Sequence, residues 1–502
     1  MRVLMFLLAG AVSAPAVAIA PPVEGSAAAA SNHDAVEMLL DQYHRALWGK
    51  HFEDAFAIAA QLPVSHSNRE AKGIVAGLRA AALVGLDRRA EAEKLISQYQ
   101  EFAPQDPFPL TYIFAAGLLS DRLDFSADAL DRMIARFPDV VRELDWDTVR
   151  YFLRNEPEGQ AKRNEDRRIA LARLGYGGDT ERGYYLAENA VHLLVDRGDF
   201  AGASELLPYV KEPLPIENML IQKRFSPLWP QIERLAGPHL ANIRASYVAA
   251  VERQYSEEPE NRQFLSDYVK ALRRSGRLQD AIALRSKLPG TSAEMSKADE
   301  PTGWAVNNVA LALFDAGHPD EADELFALLN EAPMPKEYWR VSMKINRLEL
   351  LVTSGRFDKA LPLIEPTAQT KGSAYAEQLV RRLRYCTLSS LGHKADAAKG
   401  LVELLAHASD APGPTIDGLL CAGDVDKAEQ VALAALNNPD AGKRQSFEED
   451  FVRQLQPHLL TSDDPSVWQV RWLELRVRPA IAAAYDRLGR DMPAEFLPPP
   501  SH

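Results

Sequence analysis

Histidines, cysteines, carboxylates and arginines are the side chains of this chain whose chemistry is worth testing first against their spacing. Eleven histidines are scattered over 502 residues. His44 and His51 stand seven apart, the interval that stacks two side chains on one helix face. Gly49 lies between them and predicts a turn that parts them, so no metal site is expected there. The run Glu448-Glu449-Asp450 is expected at a helix start, where the helix dipole favours negative charge. Arg381, Arg382 and Arg384 form a basic run expected on a solvated helix face, and Phe225 with Trp229 is expected in a core rather than as a ligand platform. The chain holds no Gly-rich phosphate loop, no Cys-x-x-Cys, no His-Glu-x-x-His and no Gly-x-Ser-x-Gly. No catalytic residue, metal or cofactor is therefore expected, and the question passes to the elements that would present a binding surface.

Those elements follow one phrase, Gly-x-x-x-x-Ala, which recurs between apolar helical patterns. It stands at Gly85 to Ala90, Gly198 to Ala203, Gly276 to Ala281, Gly317 to Ala322, Gly355 to Ala360, Gly392 to Ala397 and Gly423 to Ala428. Lys50 to Ala55 and Asp124 to Ala129 keep the Ala and replace the Gly. Most steps between units are 31 to 41 residues, and the two long ones, 74 and 78, are close to double. A fixed period of about 34 to 47 residues is the signature of stacked helical hairpins, because one hairpin cannot bury its apolar face without a neighbour. Gly suits the left-handed residue that ends the first helix, and the small Ala lets the second helix approach closely. Apolar residues then run at helical spacing, as in Ala322, Leu325, Phe326 and Leu329. The reading is an all-α superhelix, or solenoid, of about nine or more degenerate hairpins.

The units Gly-Asp-Phe-Ala-Gly-Ala at 198 to 203, Gly-His-Pro-Asp-Glu-Ala at 317 to 322 and Gly-Arg-Phe-Asp-Lys-Ala at 355 to 360 resemble the tetratricopeptide repeat family. The likeness spans residues 34 to 440, although Trp304 lies two places early for the family's aromatic. The resemblance implies that each first helix lines a concave groove that holds a peptide. Asn189, Asn308 and Asn346 each lie nine residues before the Gly of their unit, the register of an Asn that in this family hydrogen-bonds a peptide backbone. An amide both donates and accepts, which matches a peptide group. Arg382 lies ten before Gly392, near the same face, and would supply charge for a peptide carboxylate.

The composition, 46% hydrophobic and 25% charged, excludes a wholly disordered chain. Arg2, the apolar run Val3 to Val12 and the small residues Ala16-Val17-Ala18 read as a cleaved secretory signal, which places the mature chain in the periplasm or outside the cell. That apolar run is shorter than the roughly 20 residues a membrane span needs, so no stable span is expected. After cleavage 56 basic residues face 70 acidic ones, a net −14, the wrong sign for a partner of phosphates, and nucleic acid is excluded as a ligand. Export suggests a disulfide between Cys386 and Cys421, the only cysteines. Counted from their glycines, however, the two are offset by four residues, about 6 Å along the axis, on helices about 8 to 10 Å apart. That exceeds the reach of a bridge, under about 7 Å between Cα atoms, and predicts two buried thiols.

The chain divides into a signal peptide (1–18), a flexible leader (19–33), N-terminal hairpins (34–138), irregular helical repeats (139–256), C-terminal hairpins (257–440), capping helices (441–490) and an unpacked tail (491–502). The expected function is a non-catalytic scaffold that binds a protein or peptide through its concave face. The alternatives are an enzyme or accessory acting on cell-envelope glycan, or a structural part of an envelope assembly or secretion complex.

Overall fold

The computed structural model describes residues 27–64, 68–178, 180–331, 339–369, 372–457 and 467–497. The signal segment 1–18 lies outside the described residues. The chain is all-α and forms two compact units that divide between Tyr209 and Val210. The division falls inside the stretch 139–256 that the sequence reads as one irregular segment.

The first unit holds α1 (Ala27–Trp48), α2 (Phe52–Gln61), α3 (Arg69–Gly85), α4 (Arg89–Phe102), α5 (Phe108–Ser120) and α6 (Leu123–Arg136). It continues through α7 (Pro138–Arg142), α8 (Trp146–Arg154), α9 (Ala161–Arg173), α10 (Glu181–Asp196) and α11 (Phe200–Leu206). Helix α1 starts inside the expected flexible leader, since the alanines at 27 to 30 are strong helix formers.

The second unit opens with α12 (Pro213–Ile221), α13 (Trp229–Ala236), α14 (Ala241–Glu257), α15 (Arg262–Arg274), α16 (Leu278–Ala283) and α17 (Ser292–Met295). Four hairpins follow: α18 (Glu300–Asp315) with α19 (Pro319–Asn330), α20 (Trp339–Thr353) with α21 (Phe357–Ala368), α22 (Ala374–Ser390) with α23 (Lys394–Ala406), and α24 (Pro412–Ala422) with α25 (Val425–Leu436). Three helices end it in the stretch read as capping helices, α26 (Ala441–Gln454), α27 (Val467–Arg476) and α28 (Pro479–Leu488), with Pro479 in the first turn of α28.

Among the described residues nine inter-helix turns carry a left-handed residue followed, five positions on, by a buried small one. Six are the expected glycines, Gly198, Gly276, Gly317, Gly355, Gly392 and Gly423, with φ between 71° and 86°. At Gly317 the next N–H, of His318, returns 2.8 Å to the Leu313 carbonyl and closes the helix end. The other three are Lys50, Asp87 and Asp121, with φ near 60°. Two phrases are therefore misplaced in the sequence reading. The turn read at Gly85 is made by Asp87, with Ala92 as the buried small residue, and the one read at Asp124 is made by Asp121, with Ser126. Asp tolerates the left-handed region, so a search for glycine slides past it. Gly85 serves close packing instead: a Cβ there would stand 2.2 Å from Phe52 Cδ1.

In each unit first helices pack on first helices. In the first unit α3 packs on α5, and α5 meets α8 through Phe114 and Phe152, whose rings lie 5.7 Å apart. In the second unit α12, α14, α15, α18, α20, α22, α24 and α26 touch in that order, and α26 touches α12 again. This first-helix layer closes on itself. Second helices such as α19, α21 and α23 each pack on their own first helix and barely meet one another, so they lie on the outside of the curve. Their buried stripes, Ala322, Leu325, Phe326 and Leu329 on α19, supply the core between the layers, about 1.5 to 3 kcal/mol for each large apolar side chain buried.

The segment expected to be an unpacked tail spans the closure of the second unit. Gly489 bridges Gln222 in antiparallel fashion, and the Arg490 N–H donates to the Ile221 carbonyl at 2.8 Å. Arg490 donates from Nε to the Leu220 carbonyl at 2.7 Å, pairs with Glu233 at 2.9 Å and covers the Trp229 ring. Met492 and Phe496 are buried. The tail is a strap because the Arg490 donors and the turn that carries Phe496 meet the start of the unit, while the Met492 N–H donates to Gln456 Oε1 just beyond α26; residues 498–502 lie outside the described residues.

Candidate functional site

The register that picked out Asn308, Asn346 and Arg382 places them on three successive first helices of the second unit, α18, α20 and α22. Asn189 lies on α10 in the first unit. Its Oδ1 is shielded from water and accepts no hydrogen bond.

The three residues of the second unit play different parts. Asn346 donates from Nδ2 to Asn307 Oδ1 at 2.7 Å, which ties α20 to α18 and leaves its own carbonyl oxygen unused. Asn308, only 8% exposed, makes no side-chain hydrogen bond among the described residues. Arg382 is buried between two acids, Glu349 of α20 and Asp417 of α24, the latter at 3.1 Å. Burial lowers its pKa and Asp417 opposes the shift. Asp417 in turn accepts from Trp472 Nε1 of α27 at 2.9 Å. Arg382 thus holds three first helices together, and its charge is answered within the protein. The expectation of a solvated basic face fails here for the same reason: Arg381 pairs with Glu377 and Arg384 with Glu365 and Glu403, while Arg382 turns inward.

Partly exposed apolar groups share this layer. Trp304 and Leu311 flank Asn308 at helical spacing on α18, and Tyr375 and Leu379 precede Arg382 in the same way on α22. Tyr375 is 56% exposed, as is Tyr185 near the start of α10 at 57%. The layer therefore offers amide groups between apolar ones, a surface suited to an extended peptide.

The sulfurs of Cys386 and Cys421 are bonded, with Cα atoms 5.6 Å apart, against the expectation of two thiols. The register counted from the glycines misled, because α24 is offset on α22: the cysteines are 35 residues apart, as are Arg382 and Asp417. Gly418 makes the approach possible, since a Cβ there would stand 2.9 Å from Leu404 Cδ2 and 3.2 Å from Arg382 Cγ.

Two other places have room for a ligand. In the first unit a groove of 270 Å³ runs between α4 and α6 over Leu110 and Ile113, and adjoins one of 380 Å³. Its charges answer one another, Arg89 with Asp124 and Arg163 with Asp128 and Asp131. In the second unit a cavity of 160 Å³ lies where the strap closes the layer, lined by residues from three distant segments that include Gln222, Glu448 and Arg487. Of these three only Glu448 carries a sequence signal, the acidic run that it opens. The run Glu448-Glu449-Asp450 belongs to this seam and not to a helix start: α26 begins seven residues earlier at Ala441, capped by Asp440. Phe225 is fully buried and Trp229 donates to the Met219 carbonyl, so that pair is structural. His44 lies on α1 and His51 beyond its end, with the turn between them. Among the described residues no helix is long and apolar enough to cross a membrane. No protein-family model matches this chain, and no curated protein matches it either.

Proposed function

We propose that this chain is an exported, non-catalytic scaffold, similar to tetratricopeptide repeat proteins, whose second unit holds a protein or peptide partner against its first-helix layer. The supporting observation is the unused amide of Asn308 and the unused amide oxygen of Asn346 between partly exposed Trp304, Leu311, Tyr375 and Leu379. An extended peptide presents alternating amide and side-chain groups that such a surface can meet. The Cys386–Cys421 bond supports the export reading, since disulfides persist in oxidising compartments. Arg382 acts in this reading as the tie between helices and not as the ligand's counter-charge.

The test is affinity capture from an envelope extract, with the parent chain compared with an Asn308→Ala, Asn346→Ala, Tyr375→Ala variant whose helicity is verified by circular dichroism. A partner held by the parent and lost by the folded variant is the expected result. Capture of the same proteins by both removes the first-helix layer as the binding surface.

A further inference from the structure

The asparagines of α18 and α20 carry polar atoms that are unmatched and still open to water. Asn307 is 3% exposed and Asn308 8%. Asn307 Oδ1 accepts from Asn346 Nδ2 at 2.7 Å, which fixes both amides and leaves Asn307 Nδ2 and Asn346 Oδ1 over. Neither of those two atoms nor the amide of Asn308 has a partner among the described residues, and none is sealed from solvent as the Asn189 oxygen is. Buried side-chain polar groups are almost always hydrogen-bonded in folded proteins, so free and reachable donors and acceptors on three neighbouring side chains mark a place that a ligand's amide can fill. They lie on the open face of the layer. The other face of α20 is held by Arg340, which donates to the Leu329 carbonyl at 2.9 Å, and by Arg347, which pairs with Asp323 of α19 at 2.8 Å.

One helical turn beyond Asn346, on the same face, stands Glu349. Glu349 of α20 and Asp417 of α24 share the single guanidinium of Arg382, so this cluster holds two carboxylates against one cation. On the neighbouring α26 Asp450 and Arg453 cancel at 2.9 Å, and Glu377 and Arg381 of α22 cancel likewise. The surplus is one negative charge. Of the two acids Glu349 is the one a ligand can reach, 36% exposed against 16% for Asp417. An acidic ligand group would meet Glu349 as a like charge. A Lys or Arg side chain would meet its counter-charge there, with its carbon stem beside Leu379, one turn before Arg382. On the strength of the peptide reading above, we infer that the segment held by this layer is basic: an extended peptide whose backbone amide sits on Asn307, Asn308 and Asn346 and whose Lys or Arg side chain, within two positions of that amide, pairs with Glu349. The spacing follows from the helix, since three residues of α20 rise about 4.5 Å and an extended chain advances about 3.3 Å per residue.

Selection of a phage-displayed library of random decapeptides on the full chain tests the inference, with the Asn308→Ala variant as counter-target and fluorescence polarisation of the enriched peptides as the affinity readout. Melting curves verify that Asn308→Ala and Glu349→Gln fold. The expected result is a set of peptides that need Asn308 and share a Lys or Arg at one position. Replacing that residue by Gln in the peptide is expected to weaken binding to the parent chain about tenfold or more, and binding to Glu349→Gln by less than about threefold. Equal affinity of the basic and Gln peptides for the parent chain overturns the inference, whether or not Glu349→Gln folds. An enriched set that needs Asn308 but shares no basic residue, or shares an acidic one, overturns it too, and the peptide reading survives both outcomes. The same loss in Glu349→Gln as in the parent overturns the pairing with Glu349. No enrichment over Asn308→Ala removes the peptide reading and this inference with it.

Discussion

Arg382 shows how a residue picked by register can have its role reversed by its neighbours. Its position on the first-helix face was legible in the sequence; the two acids that enclose it, 33 residues before and 35 after, were not, because pairing across helices leaves no local pattern. Removing one member of a buried charge cluster leaves the others without a counter-ion, and such losses cost about 3 to 5 kcal/mol. Arg382→Met is therefore expected to shift the urea midpoint strongly, and Arg382→Lys to recover part of the loss. An unchanged midpoint for Arg382→Met would mean that the ties to Glu349 and Asp417 contribute nothing. Cys386 and Cys421 were misjudged for a related reason: register along each helix was countable, but the close approach allowed by Gly418 was not.

Among the elements, the hairpins were legible because a left-handed turn residue and a small residue five later leave a mark in the sequence. The mark is glycine at six turns and a longer side chain at three, of which Lys50 was legible through Ala55 whereas Asp87 and Asp121 were not. Gly85 and Gly198 look alike in the sequence and do different work. Ala at Gly198 meets open space and pays only for a left-handed backbone, about 1 to 2 kcal/mol. Ala at Gly85 meets the Phe52 ring, and the clash belongs to the pair. Gly85→Ala is expected to lose more stability in thermal melts than Gly198→Ala, and Phe52→Ala is expected to be less damaging in the Gly85→Ala background than in the parent. Additive effects of the two changes would show that the ring moves aside without cost.

At the largest scale, the feature that sequence reading could not supply is closure of the second unit. Periodicity reports contacts one repeat apart, whereas the strap joins residues separated by 257 to 270 positions, as in Arg490 with Glu233 and Leu220. A chain ended at Leu488 is expected to keep slow amide hydrogen exchange in α18 and α20 and to exchange faster in α12 and α26, the helices on either side of the seam. Equal protection of all four helices in the shortened chain would show that the layer closes without its strap.

Closure also limits how such a unit can change over generations. An open array can duplicate or lose a hairpin anywhere, because each repeat needs only its two neighbours. In the second unit an added hairpin would carry Gly489 and Arg490 away from Gln222 and Glu233, and a lost one would drive the ends past each other. The number of its repeats is fixed by the circumference, so variation in this unit has to come through substitution within hairpins and not through a change in their count.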